Sequence, residues 1–420
     1  MARVVVSCIL FGVASGCLMA AGDLGGELQS GALWKLPRRE VSNKYLVGER
    51  FAPVDESSFR LLSRGRVSLG ALKPREIVMT WKGELLDSML VMVYNKGDDG
   101  VIDKESYEGR IEAVVEALDA LTGQQGKMKR VGKKESAVEV KAWEWVWPGG
   151  AMRLEASSSG NRRNFTAEFI RLTIGPDERA LERGGANDAA NRSDLKERVC
   201  KEEGGPVWID GIPMVDQGEK GYCLPAAVSR VFAYYGMDGV DQHALAALCG
   251  SSAEGGTSSR AMFGALKKIG SKFHVRIIEL DDIESAFAWM ANYDKFAKKL
   301  KKNPLRSSGF MDAWDVADGD VLRAIRAGKP AQVEKWMKPI RKSVALGMPV
   351  LWSVTLGVFP EEIGLPQSRG GHMRLIIGYD DVKKTIIFTD TWGAGHEKKE
   401  MPAATAAAMT MQRYLLKPSR

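Results

Sequence analysis

The chain is poor in the residues that most often carry chemistry. It has four histidines and five cysteines in 420 residues. All four histidines (His243, His274, His372, His396) fall in the second half, and the stretch from Phe59 to Ile174 contains none. That stretch also shows no nucleophile, metal cluster or phosphate loop, so a catalytic role there is disfavoured. No set of residues has metal-ligand spacing, and neither a metal nor a cofactor is expected. Beyond the first 21 residues no run is long and apolar enough to span a bilayer. There is no internal repeat. Sixty basic residues against fifty-three acidic ones leave a net charge of +7. Without a basic stripe or a known binding motif, that mild excess does not point to nucleic acid. What is present, 45% hydrophobic and 27% charged residues, suits a globular protein of two or three domains.

Residues 1–21 read as an export signal. Arg3 supplies a short positive region, Val4–Val13 is almost wholly apolar, and small residues follow. The expected location is therefore periplasmic or extracellular. Ala14-Ser15-Gly16-Cys17 also resembles a lipoprotein signal, which would make the chain membrane-anchored through a lipidated Cys17. Cys200, Cys223 and Cys249 remain after the signal. Two readings stay open: a Cys200–Cys249 disulfide that leaves Cys223 free, or Cys249 as a small buried hydrophobe.

Within residues 22–175 an α+β domain is expected. Glu76–Trp81 and Leu86–Tyr94 read as strands joined by Lys82-Gly83. Tyr107–Leu121 reads as a helix with Ile111, Val114, Val115 and Leu118 on one face and Gly123 beyond its end. Val138–Trp147 and Phe165–Ile174 are further strands. Trp143, Trp145 and Trp147 alternate along one of them, and a packed sheet face explains that row better than a ligand platform. Residues 176–206 are rich in charge, Gly, Asn and Ala and read as a linker or solvated helix. A second domain is expected over 207–420. It includes a helix over Ser258–Ile269, a charged helical stretch over Asp281–Ala345, strands over Pro349–Thr355, Met373–Tyr379 and Thr385–Phe388, and a closing helix over Ala403–Leu416. The lysines 295, 298, 299, 301 and 302 are read as a solvated face.

Gln217-Gly218-Glu219-Lys220-Gly221-Tyr222-Cys223-Leu224-Pro225 runs into an apolar helical pattern, Val228, Val231, Phe232 and Tyr235, closed by Gly236. Cys223 is thus predicted at the mouth of a helix, where the dipole and unpaired N–H groups favour the nucleophilic thiolate. Gln217, six positions upstream on a Gly-rich turn, can bring its amide beside the sulfur as an oxyanion donor. A thiol nucleophile needs a base and a group to orient that base. His372 begins an apolar strand, and Asp390 follows the next strand 18 residues later. Two adjacent antiparallel strands bring such a pair together. His243 and His274 sit on ordinary helical and strand patterns, and His396 reads as a surface residue.

These motifs resemble the papain-like cysteine peptidases. Gln217 to Cys223 matches Gln-Gly-x-x-Gly-x-Cys, His372 to Tyr379 matches the histidine strand ending in Gly-Tyr, and Asp390-Thr391-Trp392-Gly393 matches Asn-Ser-Trp-Gly with Asp for Asn. The 149 residues from Cys223 to His372 fall within the roughly 130–150 of that family. Asp as third member, Gly-Tyr-Asp after the strand and Pro-Ala-Ala after the nucleophile are more similar to the C39-like branch. Leu224 stands where that pattern usually has Gly, and Thr391 where Pro often follows the acid. The resemblance covers about 207–416. It implies a papain-like domain with a helical lobe and an antiparallel β lobe. It implies Cys223 as nucleophile, His372 as base, Asp390 as orienting acid, Gln217 in the oxyanion hole and Trp392 shielding the His–Asp contact. It also implies hydrolysis of a protein or peptide substrate through an acyl-enzyme. The alternatives are an acyl-transfer enzyme (transglutaminase- or amidase-like) on the same fold and a non-catalytic binding protein.

Overall fold

The computed structural model describes residues 22–45, 51–54, 57–62, 66–131, 138–160, 164–182, 192–218, 221–237, 242–249, 264, 267, 275–281, 287–307, 310–361 and 369–418. The signal segment with Cys17, nearly all of the helix expected over Ser258–Ile269, and His274 lie outside the described residues.

Helices and antiparallel sheets build two hydrophobic cores. The first core lies on a sheet of β1 (Phe51–Pro53), β2 (Ser58–Leu62), β3 (Glu76–Lys82), β4 (Leu85–Asn95), β5 (Lys127–Val131), β6 (Val138–Trp147), β7 (Gly150–Ser159) and β8 (Thr166–Gly175). Their order is β1-β2-β3-β4-β8-β7-β6-β5, with every pairing antiparallel. One long helix, Lys104–Thr122, packs on β6 and β8. Its start is fixed by the Asp103 carboxylate, which accepts the Ser106 N–H at 2.8 Å, and Gly123 closes it in the left-handed region. The tryptophan row belongs to the packing: Trp145 and Trp147 are buried, and the Trp145 indole donates to Asp119 at 2.7 Å. β7 has no counterpart among the strands expected from sequence. Its buried Met152, Leu154 and Ala156 do alternate, but Arg153 and Glu155 between them are bound into an ion-pair network with Glu144 and Arg171 rather than exposed.

The second sheet is formed by β9 (Val199–Lys201), β10 (Val207–Ile209), β11 (Val275–Glu279), β12 (Val350–Leu356), β13 (Gly370–Asp380), β14 (Thr385–Thr389), β15 (Lys399–Pro402) and β16 (Thr410–Pro418). The main path is β11-β16-β12-β13-β10-β9, and β14 pairs with both β13 and β15. β12 is buried along its whole length, as befits a strand with neighbours on both edges and helices over it. The helix Cys223–Tyr234 is also almost wholly buried. Leu224, Val228, Val231 and Phe232 join the second core, and each such burial stabilises by about 1.5–3 kcal/mol. Gly236 follows with φ of 76°, the conformation a helix-ending glycine is used for.

Two expectations are corrected. Residues 192–201, inside the stretch read as linker, contribute the helix Arg192–Glu197 and strand β9. Leu195 is fully buried in the second core, and β9 pairs with β10. The closing helix stops at Met409, and Thr410–Pro418 is β16, paired on one side with β12 and on the other with β11. The alanine run favours helix up to that point. From Thr410 on, ladder bonds to two neighbours outweigh local propensity. The lysines expected on a solvated face are exposed, and Lys302 pairs with Asp318 and Asp320 at 3.0 and 2.9 Å.

Candidate active site

Cys223 is the first residue of its helix and is half-buried. Burial opposes ionisation of its thiol. A hydrogen bond and the charge of His372, with the backbone N–H groups of Met373 and Leu224, overcome that and lower its pKa. Cys200 and Cys249 are free thiols as well, so the disulfide reading is not realised. Cys249 is buried and its thiol is pushed up to about 12 by desolvation, which makes it an inert packing residue.

His372 sits near the start of β13 and is buried. Its Nε2 lies 2.5 Å from Asp390 Oδ1. The ring also hydrogen-bonds Cys223, so one imidazole links the acid to the sulfur. Burial disfavours the imidazolium, but the Asp390 carboxylate and the Cys223 contact prevail, and the pKa is pushed up to about 9. Asp390 is fully buried. Desolvation raises its pKa, yet His372, Arg374 and the Thr391 N–H hold it well below the usual carboxylate range.

The sheet explains how these groups meet. Leu375 pairs with Thr389 across β13 and β14, which sets position 390 opposite Arg374 and one pleat away from His372. Residues 372 and 374 share a face because side chains alternate along a strand. Arg374 is fully buried. Its Nε donates to Asp390 Oδ2 at 2.7 Å, and its other nitrogens reach Glu361 at 3.1 and 2.8 Å. From the other side Arg230, on the Cys223 helix, donates to the Asp390 carbonyl, to Thr389 Oγ1 at 2.8 Å and to the Pro213 carbonyl at 2.8 Å. The Asp390 N–H donates to the His396 carbonyl at 2.9 Å. His396, read as a surface residue, is half-buried and supports the acid through its backbone.

Gln217 is buried and tied to the residue after the acid. Its N–H donates to the Thr391 carbonyl at 2.8 Å, and Thr391 Oγ1 donates to its side-chain Oε1 at 2.6 Å. Its amide oxygen is thereby fixed as an acceptor from Thr391. Trp392 stacks on His372 with ring centres 4.4 Å apart and planes 15° from parallel, covering the imidazole. His243 packs edge-on against Tyr222 and Phe169. The structure therefore brings Cys223, His372, Asp390 and Trp392 into one cluster, with Gln217 bound to its rim through Thr391.

Sequence reasoning missed Arg374, Glu361 and Arg230. The two-residue spacing of His372 and Arg374 was a signal for the first. Nothing in the sequence marks the other two: Glu361 lies outside any strand, and Arg230 sits on a helix far along the chain from Thr389 and Asp390. Residues 209–415 match the model of the Peptidase_C39 like family. The C-terminal half is a C39-like cysteine peptidase domain. A search of curated proteins returned no match. Among solved structures the chain is similar to xylellain, a cysteine protease from Xylella fastidiosa, at 14% identity over 57% of this chain and 93% of that one, with a TM-score of 0.24.

Around Asp390 in this C39-like domain the buried charges balance. Asp390 and Glu361 are matched by Arg374 and Arg230, and the proton shared by Cys223 and His372 can sit on either without changing the net charge. Among the described residues no group of His, Cys, Asp and Glu is placed to hold a metal ion.

Proposed function

We propose that the protein is an exported cysteine peptidase that cleaves peptide bonds through Cys223, His372 and Asp390. The observation that carries this is the unbroken contact from thiol to imidazole to buried carboxylate. The Cys223 sulfur attacks the scissile carbonyl carbon, forming the C–S bond and an oxyanion. Gln217 and the Cys223 N–H stabilise that oxyanion. The C–N bond breaks as the His372 imidazolium protonates the leaving amine, leaving a thioester. Water, deprotonated by His372, then attacks the thioester, releasing a carboxylate and restoring the thiol. Asp390 fixes the ring and stabilises its charged form, and Trp392 keeps water from that contact. Residues 1–21 support export of the chain.

The test is labelling by a thiol-directed epoxide in wild type, Cys223→Ala and His372→Ala. Labelling is expected at Cys223 alone and only with His372 in place. Equal labelling of the Cys223→Ala protein rejects the assignment. Capture of the acyl-enzyme by added amines in preference to water would instead support the acyl-transfer reading.

A further inference from the structure

The loop that carries Gln217 and Cys223 is not held by the C39-like domain alone. Arg60, on β2 of the first sheet, is buried and reaches across to Asp216, the residue before Gln217. Its Nη1 donates to the Asp216 carboxylate at 2.7 Å and its Nη2 to the Asp216 carbonyl at 2.9 Å. The other Asp216 oxygen accepts the Gly218 N–H at 2.8 Å, and Gln242 donates to the same carbonyl at 2.9 Å. Gln217 is thus bracketed by a turn whose anchor is a guanidinium from the first sheet.

The second anchor lies one residue before the nucleophile. Tyr222 is buried, and its phenol accepts the backbone N–H of Gly97, in the one-turn helix Lys96–Asp99 after β4. Contact there is so close that a Cβ on Gly97 would lie 2.8 Å from the Tyr222 ring. Beside it Phe169, on β8, meets His243 edge-on at 6.1 Å, and His243 meets Tyr222 at 5.8 Å. Both residues that immediately precede the proposed oxyanion donor and nucleophile are therefore gripped by the N-terminal region.

We infer that the N-terminal region is a working part of the peptidase, with Arg60 and Gly97 as positioning residues for the oxyanion hole and the nucleophile. This rests on the catalytic reading of Gln217 and Cys223 above. The geometry argues for support rather than inhibition, because the contacts fall on the residues behind the two reacting groups. A guanidinium held by two bonds to one residue fixes that residue's direction as well as its place, and a shift of about 1 Å in such a group lowers rates about 10²-fold.

Two reactions of the full chain separate the possibilities. Iodoacetamide alkylates the Cys223 thiolate without forming an oxyanion. A peptide p-nitrophenyl ester acylates it through one. Arg60→Met is expected to slow ester acylation about 10- to 100-fold while alkylation keeps its rate and pH profile, since His372 and not Arg60 sets the thiolate. Arg60→Lys, which retains a charge but not the fork, is expected to fall between. Gly97→Ala, which pushes on Tyr222 without removing a charge, is expected to slow acylation too, and it decides the matter if Arg60→Met does not fold. Folded Arg60→Met and Gly97→Ala proteins with wild-type acylation overturn the inference. Loss of His372-dependent acylation in the wild type itself would instead overturn the catalytic reading.

Discussion

The two sheets solve the problem of buried charge differently. In the first, Arg153, Arg171, Glu144 and Glu155 form a ladder of pairs along β6, β7 and β8, joined to neighbours two residues or one strand away. In the second, Arg374, Asp390, Glu361, Arg230 and His372 converge on one point from separate stretches of chain. A ladder spreads charge and rigidifies a surface. Convergence fixes one carboxylate and one imidazole in a single geometry, which is what a proton-handling site requires.

That contrast can be broken in several places. The largest expected effect is on Arg374→Ala, which strands two buried carboxylates. It should destabilise the protein by about 3–5 kcal/mol, read by denaturant unfolding. A loss below about 1 kcal/mol would mean the convergence is no more demanding than a surface pair. Next, Gln217→Ala should slow ester acylation about 10²–10³-fold with little change in iodoacetamide alkylation. Thr391→Val, which keeps the shape but drops the hydroxyl that orients Gln217, should lose less, about 10-fold, as one neutral hydrogen bond is worth about 0.5–1.5 kcal/mol. In the first sheet, Trp145→Phe removes the bond to Asp119 and should lower stability by about 1 kcal/mol while acylation stays at the wild-type rate.

A pH series tests the electrostatics directly. The Cys223 pKa is lowered and that of His372 is raised to about 9. A thiolate–imidazolium pair is therefore expected below about pH 9. Alkylation should persist well below the ordinary thiol pKa of about 8.5, and acylation should fall as pH rises through about 9. The raised His372 pKa also adds stability that is complete below about pH 6.5, its unfolded value. That stability is lost as pH rises through about 9. An activity profile that climbs steadily beyond pH 9 would show that no such pair forms.

The Cys223 helix, the His372 strand and the strand leading to Asp390 were legible because each is a local pattern: periodicity, a helix-ending glycine, an apolar run. The convergence was not, because Arg230, on the Cys223 helix, and Glu361, past the end of β12, meet the site only through tertiary packing. The end of the chain misled for a related reason. Ala403–Met409 has helical propensity of its own, whereas Thr410–Pro418 is a strand only because β11 and β12 lie on either side. Thr391 looked like a departure from a pattern, yet in the fold it is the residue that holds Gln217.

The balanced charge around Asp390 has one more consequence. Mobile ions act on exposed charges over a Debye length of about 8–10 Å near physiological salt, and much less on buried pairs. Asp390 and Arg374 are fully enclosed, and their partners neutralise them on the spot. The Asp390–Arg374 pair that backs His372 is therefore little affected by the ionic strength outside.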